Sequence, residues 1–130
     1  MKKTCLLGIL AVVVPAHAHH AFSAEYDKNK PIEVKGEVTK VEWLNLHAHF
    51  FADVKDPKGK VTTWEFELGS PNVLMRQGWN RYSLKKGDIV TVNGSQAKDG
   101  SRIVNASSIV MPDGRRVFAG SSGDEPAKQV

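Results

Sequence analysis

An alternation of apolar and polar residues begins at Ile32 and predicts a β-strand. Ile32, Val34 and Val38 share one face, and charged residues stand between them on the other. The phase then slips, because the next apolar position is Val41 rather than residue 40. A slip within one long strand indicates a β-bulge or a sharp bend near Gly36–Lys40.

Two further strands are predicted over residues 47–55 and 60–68, each with alternating apolar and polar positions. The sequence between them, Asp56-Pro57-Lys58-Gly59, is typical of a tight turn, since Pro presets φ and Gly accepts a positive φ. Matching the two apolar faces requires a three-residue loop, Pro57 to Gly59, closed by Asp56 and Lys60.

The register of this hairpin follows from the period of two along a strand. If Phe50 faces Phe66 in the core, then His49 lies opposite Glu67 on the outer face. His47 shares that face with His49, because side chains two residues apart on a strand point the same way. The hairpin is therefore predicted to present two histidines and a glutamate outward.

The second half of the chain predicts a short helix and more strands. Ser70 is a favoured helix N-cap, Pro71 a favoured first helical residue, and Gly78 a typical stop. Strands follow at Ile89–Ala97 and Ile103–Met111, joined by the turn Asp99-Gly100, with a short sixth piece at Arg116–Phe118.

The order of these elements is three strands, a short helix and two strands, with a long bent first strand. It predicts an all-β fold with a small inserted helix: a five-to-six-stranded OB-like barrel over residues 32–119. A β-sandwich is the alternative, but it needs about seven strands.

The first residues predict a secretory signal peptide over residues 1–18. Lys2 and Lys3 precede an apolar run, Leu6–Val14, that is too short to span a bilayer. A small-residue site ends at Ala18. The expected location is the periplasm, with no membrane anchor after cleavage.

Cleavage after Ala18 exposes His19 and His20 at the new terminus, and cleavage after Ala16 exposes His17 instead. Either cut makes histidine the first residue of the mature chain. Residues 19–31 then form a polar N-terminal arm, and the Gly- and Ser-rich residues 120–130 form a disordered tail.

Composition narrows the functional classes. Removing Lys2 and Lys3 from the 18 basic residues leaves 16 against 14 acidic ones, so the mature chain is nearly neutral. No basic stripe remains to bind nucleic acid. Cys5 leaves with the signal, so the mature chain has no disulfide and depends on an apolar core.

Histidine is the informative residue type, because the mature chain has two clusters, His19-His20 and His47-x-His49. A terminal amine and imidazole nitrogens favour Cu²⁺ first and Zn²⁺ second, and Glu67 is a candidate oxygen ligand. These residues predict a metal site. The alternative is that His47 and His49 are solvated or ion-paired surface residues.

No sequence cue ties a nucleophile to a base, so the protein is not expected to be an enzyme. The second functional hypothesis is an envelope interaction module. In that case the outer face of the hairpin and the loop around Trp79 dock a protein or a small ligand, with no metal required.

Four segments carry a resemblance to a known family: HHAFSAEYD, VEWLNLHAHFFADVKD, WEFELGSP and LKKGDIVTVNGSQAKDGS. Over residues 19–119 the chain resembles a family of small secreted Gram-negative proteins classed as a domain of unknown function. That family usually has W-x-N-P-H where this chain has Trp43-Leu44-Asn45-Leu46-His47. The resemblance implies export and a small β-fold, and it implies no established activity.

Overall fold

The computed structural model describes residues 25–120 of the chain. Its elements are β1 (Tyr26–Glu42), β2 (His49–Lys55), β3 (Val61–Glu67), α1 (Pro71–Arg76), β4 (Ile89–Ala97), β5 (Ile103–Val110) and β6 (Arg116–Phe118). The predicted all-β class is confirmed, with its small helix between the third and fourth strands. The predicted signal peptide, residues 19–24 of the predicted arm and residues 121–130 of the predicted tail lie outside the described part.

The strands form one sheet in the order β3-β2-β1-β4-β5-β6. An additional parallel pairing of β3 with β5 closes the first five strands into a ring. This closed ring is the arrangement of an OB-type barrel. It differs from the alternative β-sandwich, which consists of two separate sheets.

β1 is long because it pairs with β4 along its first half and with β2 along its second. Its register against β2 shifts between Val38 and Lys40, which confirms the predicted bulge. The strand begins at Tyr26, before the predicted start at Ile32, so residues 26–31 are strand rather than arm. Tyr26 pairs with Ala97 of β4 and Pro31 with Ser95, and the polar residues between them form an irregular stretch without an alternating pattern.

The β2–β3 hairpin has the register that was predicted from the two-residue period of its strands. Phe50 pairs with Phe66 and His49 pairs with Glu67. The amide of Asp56 donates to the Lys60 carbonyl at 2.9 Å, and Gly59 has a φ of 85°. The predicted three-residue loop is therefore confirmed.

The ring encloses an apolar core contributed by β1 to β5 and α1. At its centre the rings of Phe50 and Phe66 stack with centroids 4.7 Å apart. Ser70 caps α1 as predicted, because its side chain accepts from the amide of Val73. Trp79 is buried in this core and donates from Nε1 to the Phe118 carbonyl at 2.8 Å. The interaction-module hypothesis, which places Trp79 in a docking loop, is therefore wrong on this residue.

The connection between β1 and β2 reaches the surface at the open end of the hairpin. Its peptide bond between Asn45 and Leu46 is cis. Leu44 and Leu46 are 53% and 82% exposed. Across residues 25–120, no helix has the length and apolar character needed to cross a membrane.

Candidate functional site

His47 and His49 lie where the β1–β2 connection enters the hairpin. His49 is the first residue of β2, and His47 precedes it by two residues in the connection. Their side chains are 39% and 27% exposed. Both imidazoles are therefore partly accessible to solvent.

The hydrogen bonding of His47 determines the tautomer of its neutral ring. Nδ1 lies 3.0 Å from the carbonyl oxygen of Leu68. A carbonyl only accepts, so Nδ1 carries the proton and donates it. Nε2 of the neutral ring therefore keeps a lone pair, which is the form of imidazole that binds metal ions.

Each histidine also lies beside a carboxylate on β3. Nδ1 of His47 is 3.7 Å from Oε1 of Glu67, and Nδ1 of His49 is 3.2 Å from Oε1 of Glu65. These pairs run diagonally, because the residue directly opposite His49 is Glu67. The His49 contact lacks hydrogen-bond alignment, and its buried Nδ1 has no hydrogen-bond partner. The tautomer of His49 is thus not determined by a carbonyl, unlike that of His47.

Glu67 is held from the other side by the first residue of β1. The phenol of Tyr26 donates to Oε2 of Glu67 at 2.7 Å. Tyr26 is only 5% exposed. Burial raises the pKa of the Tyr26 phenol well above its usual value, and the hydrogen bond to Glu67 raises it further. Glu67 thus lies between Tyr26 and His47.

These side chains line an open groove of about 330 Å³, named here the acidic groove. Its lining residues are Glu42, Leu44, Asn45, Leu46, His47, His49, Glu65 and Glu67. Glu42 is paired with Lys40 at 2.8 Å, and this hydrogen bond lowers the pKa of the Glu42 carboxyl. Three carboxylates and two imidazoles therefore share a surface with two exposed leucines.

Of the predicted metal ligands, the structure brings together His47, His49 and Glu67. His19 and His20 lie outside the described residues. Within residues 25–120, no group of three or more His, Cys, Asp or Glu side chains is arranged to hold a metal ion. The described part of the chain therefore does not form a complete metal site by itself.

The sequence-based candidate ligands did not include Glu42, Glu65 or Tyr26. The outward position of Glu65 follows from the two-residue period of the strand, since it is two residues before Glu67. Glu42 could be placed only from the β1–β2 register, in which it pairs with His49. No local pattern connects Tyr26 with Glu67, which is 41 residues away.

A protein-family model matches residues 7–105, which include both histidine clusters and every residue of the acidic groove. The chain belongs to DUF6152, a family of unknown function. The expected membership of an uncharacterised family is therefore confirmed. A comparison with proteins of curated function gave no match.

Similar solved structures include two of TiaS. The chain is 22% identical to TiaS in the crystal structure of its complex with a tRNA and ATP, with a TM-score of 0.42, covering 63% of this chain and 18% of that one. For the ZRD-deleted mutant of TiaS in complex with agmatine, the identity is 24% and the TM-score 0.42, covering 77% and 24%. This DUF6152 chain thus spans less than a quarter of either TiaS chain, and similarity at this level supports no inference about function.

Proposed function

We propose that this DUF6152 protein is exported to the periplasm and binds a divalent metal ion, Cu²⁺ first and Zn²⁺ second, without catalytic activity of its own. The proposed ligands are His19, His20, His47 and His49, with Glu67 beside them. The observation that carries the proposal is the hydrogen bond from Nδ1 of His47 to the Leu68 carbonyl, which leaves Nε2 free to bind a metal.

The arrangement of His47 is the one that metal-binding histidines adopt. Such residues almost always donate their second ring nitrogen to a carbonyl or a carboxylate, which fixes the tautomer and the ring orientation. His47 has both kinds of acceptor near Nδ1, the Leu68 carbonyl at 3.0 Å and the Glu67 carboxylate at 3.7 Å. These contacts support a ring that is oriented before a metal ion arrives.

Glu67 contributes to the proposed site mainly through its charge. Its Oε2 accepts from Tyr26, and its Oε1 lies on the Nδ1 side of His47 rather than at Nε2. With Glu65 and Glu42 nearby, Glu67 makes the groove favourable for a cation. Nitrogen ligands in this acidic surrounding suit Cu²⁺ or Zn²⁺ better than Mg²⁺ or Ca²⁺, which prefer oxygen.

The remaining ligands in this proposal come from the mature N-terminus. A terminal histidine offers a free amine and an imidazole, which chelate one Cu²⁺ together. His19 is seven residues before Tyr26, so an extended chain between them spans at most about 25 Å. Because Tyr26 contacts Glu67 directly, His19 and His20 are within reach of His47.

Calorimetric titration with Cu²⁺ tests the proposal, on protein purified from the periplasm with its terminus verified by mass spectrometry. His47→Ala/His49→Ala is expected to lower the affinity for Cu²⁺ at least about tenfold. Loss of a residue that only hydrogen-bonds to a metal ligand already has an effect of about that size. Asp53→Ala/Lys55→Ala is the matched control, since it also changes two residues two positions apart at β2.

His19→Ala/His20→Ala leaves residues 25–120 unchanged and is expected to lower the affinity as well. Circular dichroism verifies that each variant is folded. If Cu²⁺ binds the variants and the unchanged protein equally, or binds none of them, the metal proposal is wrong.

A second candidate function is an envelope interaction module that docks a protein. The exposure of Leu44 and Leu46 beside three carboxylates favours it, because exposed apolar side chains rimmed by polar residues are typical of interaction sites. Trp79 does not take part in such a surface, since it is buried. A periplasmic partner that co-purifies in the presence of a chelator, and is lost on Leu44→Asp/Leu46→Asp, distinguishes this function from metal binding.

A further inference from the structure

The acidic groove combines exposed apolar side chains with carboxylates. Leu44 and Leu46 belong to its lining and are 53% and 82% exposed. Glu65 and Glu67 of β3 and Glu42 at the end of β1 also line it. An occupant that fits this groove has a positive charge and an apolar side chain close to one another.

The segment that precedes β1 is within reach of the groove. Tyr26 begins β1, and its phenol lies 2.7 Å from Oε2 of Glu67, a residue of the groove lining. The backbone at this point runs beside the end of β4, where the carbonyl of Glu25 accepts from the amide of Lys98 at 2.8 Å. The Tyr26 side chain extends from there to Glu67 of β3. Six residues upstream of Glu25 span at most about 22 Å when extended, which is comparable to the length of a short strand.

The composition of residues 19–24 matches the groove. The sequence His-His-Ala-Phe-Ser-Ala contains no acidic residue. After the proposed cleavage it begins with a free α-ammonium on His19, and it carries one large apolar side chain, Phe22. A cation followed three residues later by an aromatic ring is complementary to carboxylates with leucines nearby.

We infer that residues 19–24 of the mature chain bind in the acidic groove of the same molecule when no metal is present. The α-ammonium of His19 lies against the carboxylates, and Phe22 packs on Leu44 and Leu46. This inference rests on the export part of the proposed function and is independent of the metal. A tethered segment has an effective concentration in the millimolar range for a short linker, so weak contacts are sufficient for occupancy.

Metal-free NMR of the mature protein in a chelator tests the inference. The expected result is a set of nuclear Overhauser contacts between the Phe22 ring and the methyl groups of Leu44 and Leu46, unchanged on tenfold dilution. Phe22→Ala is expected to abolish these contacts and to shift the same methyl resonances. The buried methyl groups of Leu68 and Leu84 serve as the internal reference, because they do not reach the groove.

Phe22→Leu is the conservative variant, and it is expected to retain contacts with both leucines. The inference is overturned if the unchanged protein shows no such contacts, or if the Leu44 and Leu46 methyl resonances do not shift in Phe22→Ala. Contacts that weaken on dilution also overturn it, because they belong to a second copy of the chain. Addition of Cu²⁺ to the same samples tests the metal site separately, so either proposal can fail while the other stands.

Discussion

The phenol of Tyr26 donates a 2.7 Å hydrogen bond to Oε2 of Glu67, which joins the first residue of β1 to the last residue of β3. These residues are on strands that are not neighbours in the sheet, since β2 lies between them. The contact therefore closes the surface beside the groove and restricts the orientation of Glu67.

Tyr26→Phe is expected to destabilise the protein by about 1.5 to 3 kcal/mol, the range for a hydrogen bond to a charged group. Urea denaturation followed by tryptophan fluorescence measures the change. Tyr82→Phe is the matched control, because Tyr82 is 74% exposed and its substitution is expected to change stability by less than about 0.5 kcal/mol. Equal stability of the two variants contradicts this role of Tyr26.

Much of the hairpin could be predicted from sequence, because its core faces impose the register. Once Phe50 and Phe66 share the core, a period of two leaves only one place for His49 and for Glu67. The bulge in β1 was likewise visible as a slip in the apolar pattern. In each case burial of one face makes the local sequence informative.

The remaining features depend on contacts between distant segments. Residues 27–30 of β1 are polar, and the start of the strand depends on the pairing of Tyr26 and Pro31 with β4 rather than on an alternating pattern. The contact between His49 and Glu65 depends on the conformations of both side chains, which the two-residue period of a strand does not determine. Trp79 was ambiguous for a similar reason, since a tryptophan in a polar loop is compatible with a docking residue or with a core residue.

Gly94 is expected to tolerate no side chain. It lies at a register shift between β4 and β5, and a Cβ there would collide with the backbone carbonyl of Asn105. Relief requires movement of a paired strand, so Gly94→Ala is expected to cost about 3 kcal/mol or more. Thermal unfolding measures this.

Gly36→Ala is the comparison for Gly94→Ala. Its Cβ would lie 2.9 Å from the Asp53 carbonyl oxygen, a milder overlap, so a smaller loss of stability is expected. A melting temperature for Gly94→Ala at or above that of Gly36→Ala is inconsistent with the proposed clash.

Trp79→Phe tests how much the hydrogen bond from the buried Trp79 indole contributes to stability. The substitution removes the Nε1 donor and leaves the Phe118 carbonyl without that partner. Together with the lost ring volume, the expected cost is about 2 to 4 kcal/mol. Trp64→Phe is the matched control, because Nε1 of Trp64 is buried and has no hydrogen-bond partner to lose.

Guanidinium denaturation of both tryptophan variants, followed by circular dichroism, makes the comparison. Trp64→Phe is expected to cost less than Trp79→Phe, since it also removes an unsatisfied polar atom. The reverse order of stability would mean that ring volume outweighs the bond from Trp79 to Phe118.

The turn between β5 and β6 is expected to give a small part of the acid sensitivity of the fold. Hydrogen bonds from the amide and then the side chain of Arg115 hold the pKa of Asp113 below its usual value of 3.8. A lowered folded pKa means that the ionised carboxylate stabilises the fold fully above pH 3.8. This contribution is lost as the pH falls through the folded pKa.

Asp113→Asn is therefore expected to be less stable than the unchanged protein at pH 7, with the difference narrowing below about pH 4. Urea denaturation at several pH values between about 2 and 7 measures it. Arg115→Ala removes only the side-chain donor and keeps the amide donor of residue 115, so it is expected to show a weaker form of the same narrowing. A stability difference that stays constant across this range would show that Asp113 acts through the shape of the turn rather than through its charge.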